Sequence, residues 1–231
     1  MPSDCRQITI DGPAASGKSS VACAVARELG GYYINTGDMY RTVAWQALVH
    51  GVDPAADPES VGALLSKLEM GLERGASGQP ELVLNGEIVP QSAIRHPDVA
   101  VAASSVARLP AVRAWLVERQ RATRSLGLIV MEGRDIGTVV FPEAAHKFFL
   151  TASPEVRARR RLNQAGESVE GATVASVAAE IAARDEADRT RAVAPLRPAA
   201  DAVVIDSSDL TLEDVTAAIV RTVRRQAGGG E

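Results

Sequence analysis

Gly12-Pro13-Ala14-Ala15-Ser16-Gly17-Lys18-Ser19 fits the pattern G-x-x-x-x-G-K-[ST] without a gap. With glycine at about 7% of residues in proteins, a chance match in a chain this long is on the order of one per cent. The flanks agree with the motif. Gln7 to Asp11 reads as a short β-branched strand, broken by Gly12 and Pro13. Ser19 to Leu29 holds small residues and good helix formers, closed by Gly30 and Gly31. Strand, glycine loop and helix in that order let backbone N–H groups turn inward on phosphate oxygens, backed by the partial positive charge of the helix N-terminus. Lys18 is then expected at the β- and γ-phosphates, and the Ser19 hydroxyl on Mg²⁺. The plainer alternative is an ordinary strand–turn–helix with a surface lysine.

Outward from this loop, strands and helices alternate. Tyr32 to Asn35 reads as a strand and Met39 to His50 as a helix; helical spacing recurs at Val99 to Arg108 and at Arg113 to Arg124. Leu128 to Glu132, Lys147 to Thr151 and Ala202 to Ile205 are apolar runs of the kind buried on both faces of a parallel sheet. Helices are expected from near Pro154, near Thr173 and over Thr211 to Gln226. The predicted class is α/β, a doubly wound parallel sheet flanked by helices. Met70 to Val89 breaks the rhythm with Gly71, Gly75, Gly78, Pro80 and Gly86 between short alternating pieces, so a small antiparallel insertion, placed on the main sheet or forming a second lobe, is expected there. The tail from Gly228 to Glu231 reads as frayed.

At 231 residues with 46% hydrophobic and 23% charged residues, the chain has an ordinary globular balance. A net charge of −4 argues against nucleic-acid binding by bulk positive charge. Cys5 and Cys23 alone make neither a disulfide framework nor a cysteine metal site, which fits a reducing cytoplasm. Met1 to Arg6 lacks the pattern of a signal peptide, and no uncharged run is long enough to span a bilayer, so no membrane partner is expected. Among the basic residues only Lys18, Lys67 and Lys147 are lysine. A GC-rich coding sequence would favour arginine; the functional alternative is that planar arginine forks grip phosphates. Arg157, Arg159, Arg160, Arg161, Arg184, Arg189 and Arg191 crowd one segment, so position decides between these readings.

The loop implies a nucleoside triphosphate but leaves a small-molecule kinase, a GTPase-like switch and an assembly ATPase open. Neither the Asn-Lys-x-Asp nor the Asp-x-x-Gly signature of the switches occurs, and the chain is short for a motor. A kinase needs an acceptor pocket. Two segments offer one: Asn35-Thr36-Gly37-Asp38-Met39-Tyr40-Arg41 after the second strand, and Glu132-Gly133-Arg134-Asp135-Ile136-Gly137-Thr138 after the most apolar strand. Ligands in parallel sheets sit beyond the carboxyl ends of strands, so charged residues there are placed for binding. A capped turn and a solvated turn are the plainer readings. The carboxylate that supports Mg²⁺ stays open among Asp11, Glu132 and Asp206, the last expected to border the adenine side. His50, His96 and His146 lie outside every motif.

Ile8-Asp-Gly-Pro-Ala-Ala-Ser-Gly-Lys-Ser, Thr36-Gly-Asp-Met-Tyr-Arg, Glu132-Gly-Arg-Asp-Ile-Gly-Thr-Val-Val-Phe-Pro and Arg184-Asp-Glu-Ala-Asp-Arg-Thr-Arg-Ala-Val-Ala-Pro-Leu together resemble the bacterial cytidylate kinases, in order from Ile8 to about Val220. The resemblance implies transfer of the γ-phosphate of ATP to CMP or dCMP; a cytoplasmic monomer using Mg²⁺ is expected. It implies three parts: a core at about 1–36, 110–155 and 195–231, a monophosphate-binding lobe at about 37–109, and a lid at about 156–192. ATP would be held by Gly12, Pro13, Ala14, Ala15, Ser16, Gly17, Lys18, Ser19 and Ser20, with Arg157 and Arg160 as lid arginines. CMP would be held by Thr36, Tyr40, Arg41 and Arg134 at its phosphate, Ser104, Arg113 and Asp135 at cytosine, Arg184 and Asp188 at the sugar, and Arg191 at phosphate. Lys18, Arg134, Asp135 and Arg191 would carry the transfer. Asn35 and Asp38 depart from the family, which more often has Asp and a small residue there. The nearest enzyme alternative is a kinase of UMP or shikimate; the alternative from another class is a regulator that binds ATP without fast transfer.

Overall fold

The computed structural model describes residues 6–164 and 171–228; the readings of Cys5, of Met1 to Cys5 and of the tail beyond 228 lie outside them. In β1 (Gln7–Asp11) the alternation of a strand decides what faces what. Ile8 and Ile10 enter an apolar cluster, which leaves Thr9 and Asp11 on the opposite face. The chain continues through α1 (Lys18–Leu29), β2 (Tyr32–Asn35), α2 (Thr36–Val49), α3 (Pro58–Leu65), β3 (Met70–Arg74), β4 (Pro80–Leu84) and β5 (Glu87–Ile88). It then forms α4 (Gln91–Ile94), α5 (Pro97–Val106), α6 (Pro110–Ala122), β6 (Ile129–Gly133), β7 (His146–Thr151), α7 (Pro154–Leu162), α8 (Val174–Thr190), β8 (Val203–Asp206) and α9 (Leu212–Gly228). Among the described residues the main sheet has five parallel strands in the order β2-β6-β1-β7-β8.

The chain packs as two compact units. The first comprises the chain up to Asn35, Arg124–Asn163 and the chain from Gly171; the second comprises Thr36–Thr123. In the first, Ile8, Ile10, Val130, Phe148 and Leu150 of the sheet meet Val21 and Val25 of α1 and Val215, Ile219 and Val223 of α9. Burying each such side chain contributes about 1.5–3 kcal/mol before the cost of ordering the chain. α9 starts where Thr211 and Asp214 exchange backbone-to-side-chain bonds, each of 3.1 Å. His146 is buried on β7 and bonds Gln226 of α9 at 2.6 Å, a structural use of that histidine.

In the second unit, Met39, Val43 and Ala47 of α2 pack with Leu64 of α3, Val99 and Val106 of α5, and Val112 and Leu116 of α6. Three expectations change here, and one helix is new. α2 begins at Thr36 rather than Met39, directly after β2: Thr and Gly are tolerated in a first turn whose N–H groups have no helical partner. The Met70–Val89 insertion is not placed on the main sheet but forms its own antiparallel sheet β3-β4-β5, because Met70, Leu84 and Val89 are buried in this unit's cluster. α6, expected with the core, belongs to this unit through Val112 and Leu116. α3, unread in the sequence, is held by Pro58 at its first position and by Asp57, whose carboxylate accepts from the Ser60 amide at 3.0 Å. No single helix among the described residues is long and apolar enough to cross a membrane.

Candidate active site

Registers place the site. Ile10 pairs with Glu132, Asp11 with Gly133 and Asn35 with Glu132, so β1, β2 and β6 end level with one another. The glycine loop and the Glu132–Asp135 segment therefore leave from neighbouring strand ends.

The loop makes its bend where glycine is obligatory. Gly12 has φ of 151°, and a Cβ there would lie 2.0 Å from the Leu150 carbonyl oxygen. Lys18 is buried, and its ammonium curls over the loop to donate to the Pro13 carbonyl at 2.6 Å and to Ser16 Oγ at 3.4 Å. Burial away from water, then the nearby Arg134 charge, brings the Lys18 pKa down to about 7, against the opposing pull of Glu132, Asp11 and Asp185. Two cations held together with so little water in reach make a place that favours an anion.

Three carboxylates were open as metal support, and the structure separates them. Glu132 Oε1 accepts from Ser19 Oγ at 2.5 Å and from the Tyr33 hydroxyl at 3.0 Å. Asp11 is engaged elsewhere: its two oxygens accept from the Ile136 and Gly137 amides at 2.8 Å each, on a single π-helical turn over Ile136–Val140. Burial pushes its pKa up to about 6 despite those two amide bonds, with Asp135 adding to the rise and Lys18 opposing it. Asp206 is exposed and accepts from Ser208, whose N–H and Oγ lie at 2.9 and 2.6 Å. A hydroxyl and a carboxylate side by side at the loop are oxygen donors of the kind Mg²⁺ takes together with phosphate oxygens and water. Ser19 with Glu132 is thus the pair that fits. Tyr33 carried no signal in the sequence beyond its place in a strand.

The arginine-rich segment divides by position. Arg134 Nε donates to Asp188 Oδ2 at 3.0 Å, Arg191 NH1 lies 3.7 Å from Asp188 Oδ1, and Arg191 NH2 lies 3.5 Å from Asp135 Oδ1. The Arg191 Nε donates to the Ala194 carbonyl. These four residues form one chain of alternating charge in the first unit. Arg160 donates to the Ser16 carbonyl at 3.2 Å and to the Ser207 Oγ and carbonyl at 2.9 and 2.7 Å, beside the glycine loop. Arg157 is buried and donates to Asp185 and to the Ala14 and Ala152 carbonyls. Arg159 and Arg189, by contrast, make exposed pairs with Glu155 and Glu186 one turn away, of the sort that add little stability. Arg184 is half-buried on α8. The stretch expected as a lid, α7 and α8, belongs to the first unit, where Ala158, Val177 and Ile181 cluster with Ala14.

In the second unit Thr36 and Arg41 are buried, with Arg41 NH1 donating to the Ile94 carbonyl at 3.4 Å. Arg113 is buried, donates to the Ala107 carbonyl at 3.4 Å and stands 5.8 Å from the centre of the Tyr40 ring. Ser104 is half-buried on α5. Asp38, the departure from the family pattern, pairs with Arg95 at 2.7 Å and so has its charge answered within the unit.

The family model described as cytidylate kinase matches residues 8–225. The cytidylate kinase of Pelotomaculum thermopropionicum is 50% identical over 216 residues, covering 94% of this chain and 95% of that protein. That of Pseudomonas entomophila is 47% identical over 216 residues, covering 93% and 94%. Among solved structures, shikimate kinase from Bacteroides thetaiotaomicron aligns with a TM-score of 0.50 over 96% of this chain and 98% of that one. At 14% identity that likeness speaks for the fold alone. Identity near one half, sustained over almost the whole length on both sides, is what decides the matter: the chain belongs to the cytidylate kinase family.

Proposed function

We propose that this protein transfers the γ-phosphoryl group of ATP to CMP or dCMP, giving ADP and CDP or dCDP. The carrying observation is the Glu132–Asp135 segment. Glu132 meets Ser19 at the glycine loop, and two and three residues later Arg134 and Asp135 join the charge chain with Asp188 and Arg191. One strand end thus serves the donor on one side and an anionic acceptor on the other.

Phosphoryl transfer asks for alignment and neutralised charge rather than a protein nucleophile. An oxygen of the acceptor monophosphate attacks the γ-phosphorus as the bond to the β-phosphate oxygen of ADP breaks. The loop N–H groups and Lys18 take up the donor phosphates; Lys18 exchanges its Pro13 contact for phosphate. Ser19 and Glu132 would hold Mg²⁺, which would supply neutralisation of phosphate charge when bound. Arg134 and Arg191 grip acceptor phosphate, with Tyr40, Arg41 and Thr36 assigned to the same group by the family likeness. Arg184 and Asp188 are assigned to the sugar, and Ser104, Arg113 and Asp135 to cytosine. An ionised Asp135 accepts from the cytosine amine and repels the uracil carbonyl. Arg160, at the Ser16 carbonyl, is assigned to ATP.

ADP release measured with CMP, dCMP, UMP, shikimate or no acceptor tests this reading. Turnover that requires CMP or dCMP supports it. Release that is equal with and without acceptor would assign the loop to ATP hydrolysis or regulation, and a preference for UMP or shikimate would move the acceptor.

A further inference from the structure

Asp185 stands in the Arg184–Leu196 motif without a ligand assigned to it, and it is buried on α8 and reaches the glycine loop. Its Oδ1 accepts from the Ala14 amide at 3.0 Å, and its Oδ2 accepts from Arg157. Arg157 returns to the same loop residue by donating to the Ala14 carbonyl at 3.2 Å, and anchors on the Ala152 carbonyl at 3.1 Å. Both backbone polar groups of Ala14 are therefore held by one buried ion pair, directly before Ala15, whose φ of 56° is a left-handed conformation outside glycine. One turn along α8 from Asp185 stands Asp188 on Arg134, and Arg191 at the helix end stands on Asp135. Thr173 and Ser176 fix the other end of α8 by a reciprocal cap, and Val177 and Ile181 pack against Ala14 and Ala158.

We infer that Asp185 is a positioning residue that couples the glycine loop to the Arg134–Asp188–Arg191–Asp135 chain through α8, so that donor and acceptor nucleotides each tighten binding of the other. A helix is stiff over one turn, so a loop shift that moves Ala14 carries Asp185 and, with it, Asp188 and Arg191. Coupling of this kind is reciprocal between the two ligands. The inference rests on the kinase reading above and assigns a role inside it to a residue that touches neither substrate.

The test is CMP affinity by calorimetric titration, with and without saturating β,γ-imido-ATP and Mg²⁺. For the wild-type protein the analogue is expected to tighten CMP about tenfold, within the usual range of coupling. Asp185→Asn keeps an acceptor for the Ala14 amide but removes the charge opposite Arg157. Its ratio should fall to about twofold or less, while CMP affinity without the analogue stays near the wild-type value. Arg157→Lys keeps the cation but loses the fork that spans two carbonyls, and should lower the ratio in the same direction; it carries the test alone if Asp185→Asn does not fold. A lowered Tm with an unchanged ratio in these variants would make the pair a packing brace and overturn the coupling. A wild-type ratio of one overturns it as well. Failure of the kinase reading looks different, because the wild-type protein then shows no CMP-dependent ADP release, and the inference falls with it.

Discussion

Lys18 is buried beside a second cation, which brings its pKa down to about 7, and a bound phosphate favours its charged form. Lys18→Ala should lower kcat by roughly 10²–10³, the usual loss for one transition-state charge contact. Its circular dichroism should stay that of the folded protein, since the side chain makes loop contacts rather than core packing. A kcat near wild type would put the transferring phosphate elsewhere. Asp135 poses a sharper question, because a neighbouring guanidinium explains it equally well as scaffold. Asp135→Asn distinguishes the two, since an amide can turn its N–H₂ toward the uracil carbonyl. The ratio of kcat/KM for CMP over UMP should fall by roughly 10–10³ if Asp135 reads the base. An equal fall for both substrates would make it scaffold, and an unchanged ratio would leave base choice to Ser104 and Arg113.

Among the elements, the β4–β5 hairpin turns through Asn85-Gly86, with φ of 52° and 82°, the two left-handed residues that the twist of an antiparallel pair requires. The Asn85 side chain also accepts from the Glu69 amide at 2.7 Å, tying the turn to the start of β3. Gly86→Ala should cost about 1–2 kcal/mol in urea unfolding, the penalty for a Cβ in that conformation, although nothing crowds the site. No measurable loss would mean that the turn re-forms in another type. A second element-level tie joins β7 to the segment before β8. Lys147 donates to Asp201 at 2.7 Å and to the Pro142 carbonyl at 2.5 Å. The bond from Lys147 holds the Asp201 pKa below its ordinary 3.8. A depressed carboxylate pKa adds stability above the unfolded value, lost as pH falls through the folded one. Asp201→Asn should therefore melt below the wild type at pH 7, and the gap should close as pH drops below 3.8. A gap independent of pH would exclude the ionised form as its source.

For the whole molecule, legibility followed how local the signal was. The glycine loop, β1, α1, β6 and β7 were readable because their pattern, spacing and flanks all sit within a few residues. So was the end of β6 as a charged segment. Glu132 as the partner of Ser19 was not, because Asp11 and Asp206 end equally apolar strands and only the register of three strands separates them. Asp185 was hidden for a related reason: in a run rich in Arg and Asp, nothing local says which carboxylate turns inward to Ala14. Membership of α6 in the second unit likewise depends on which cluster its Val112 and Leu116 meet. The same separation along the chain has a consequence during synthesis. Among the described residues, the second unit's apolar cluster lies between Met39 and Leu116, whereas the strand partners of β1 begin at Ile129. Domains emerging from the ribosome at about 5–20 residues per second tend to fold as they complete. The second unit can gather its core on the nascent chain while β1 and the glycine loop, made before it, wait for β6 and β7, so a segment made earlier becomes a nucleotide site later than the unit that follows it gathers its core.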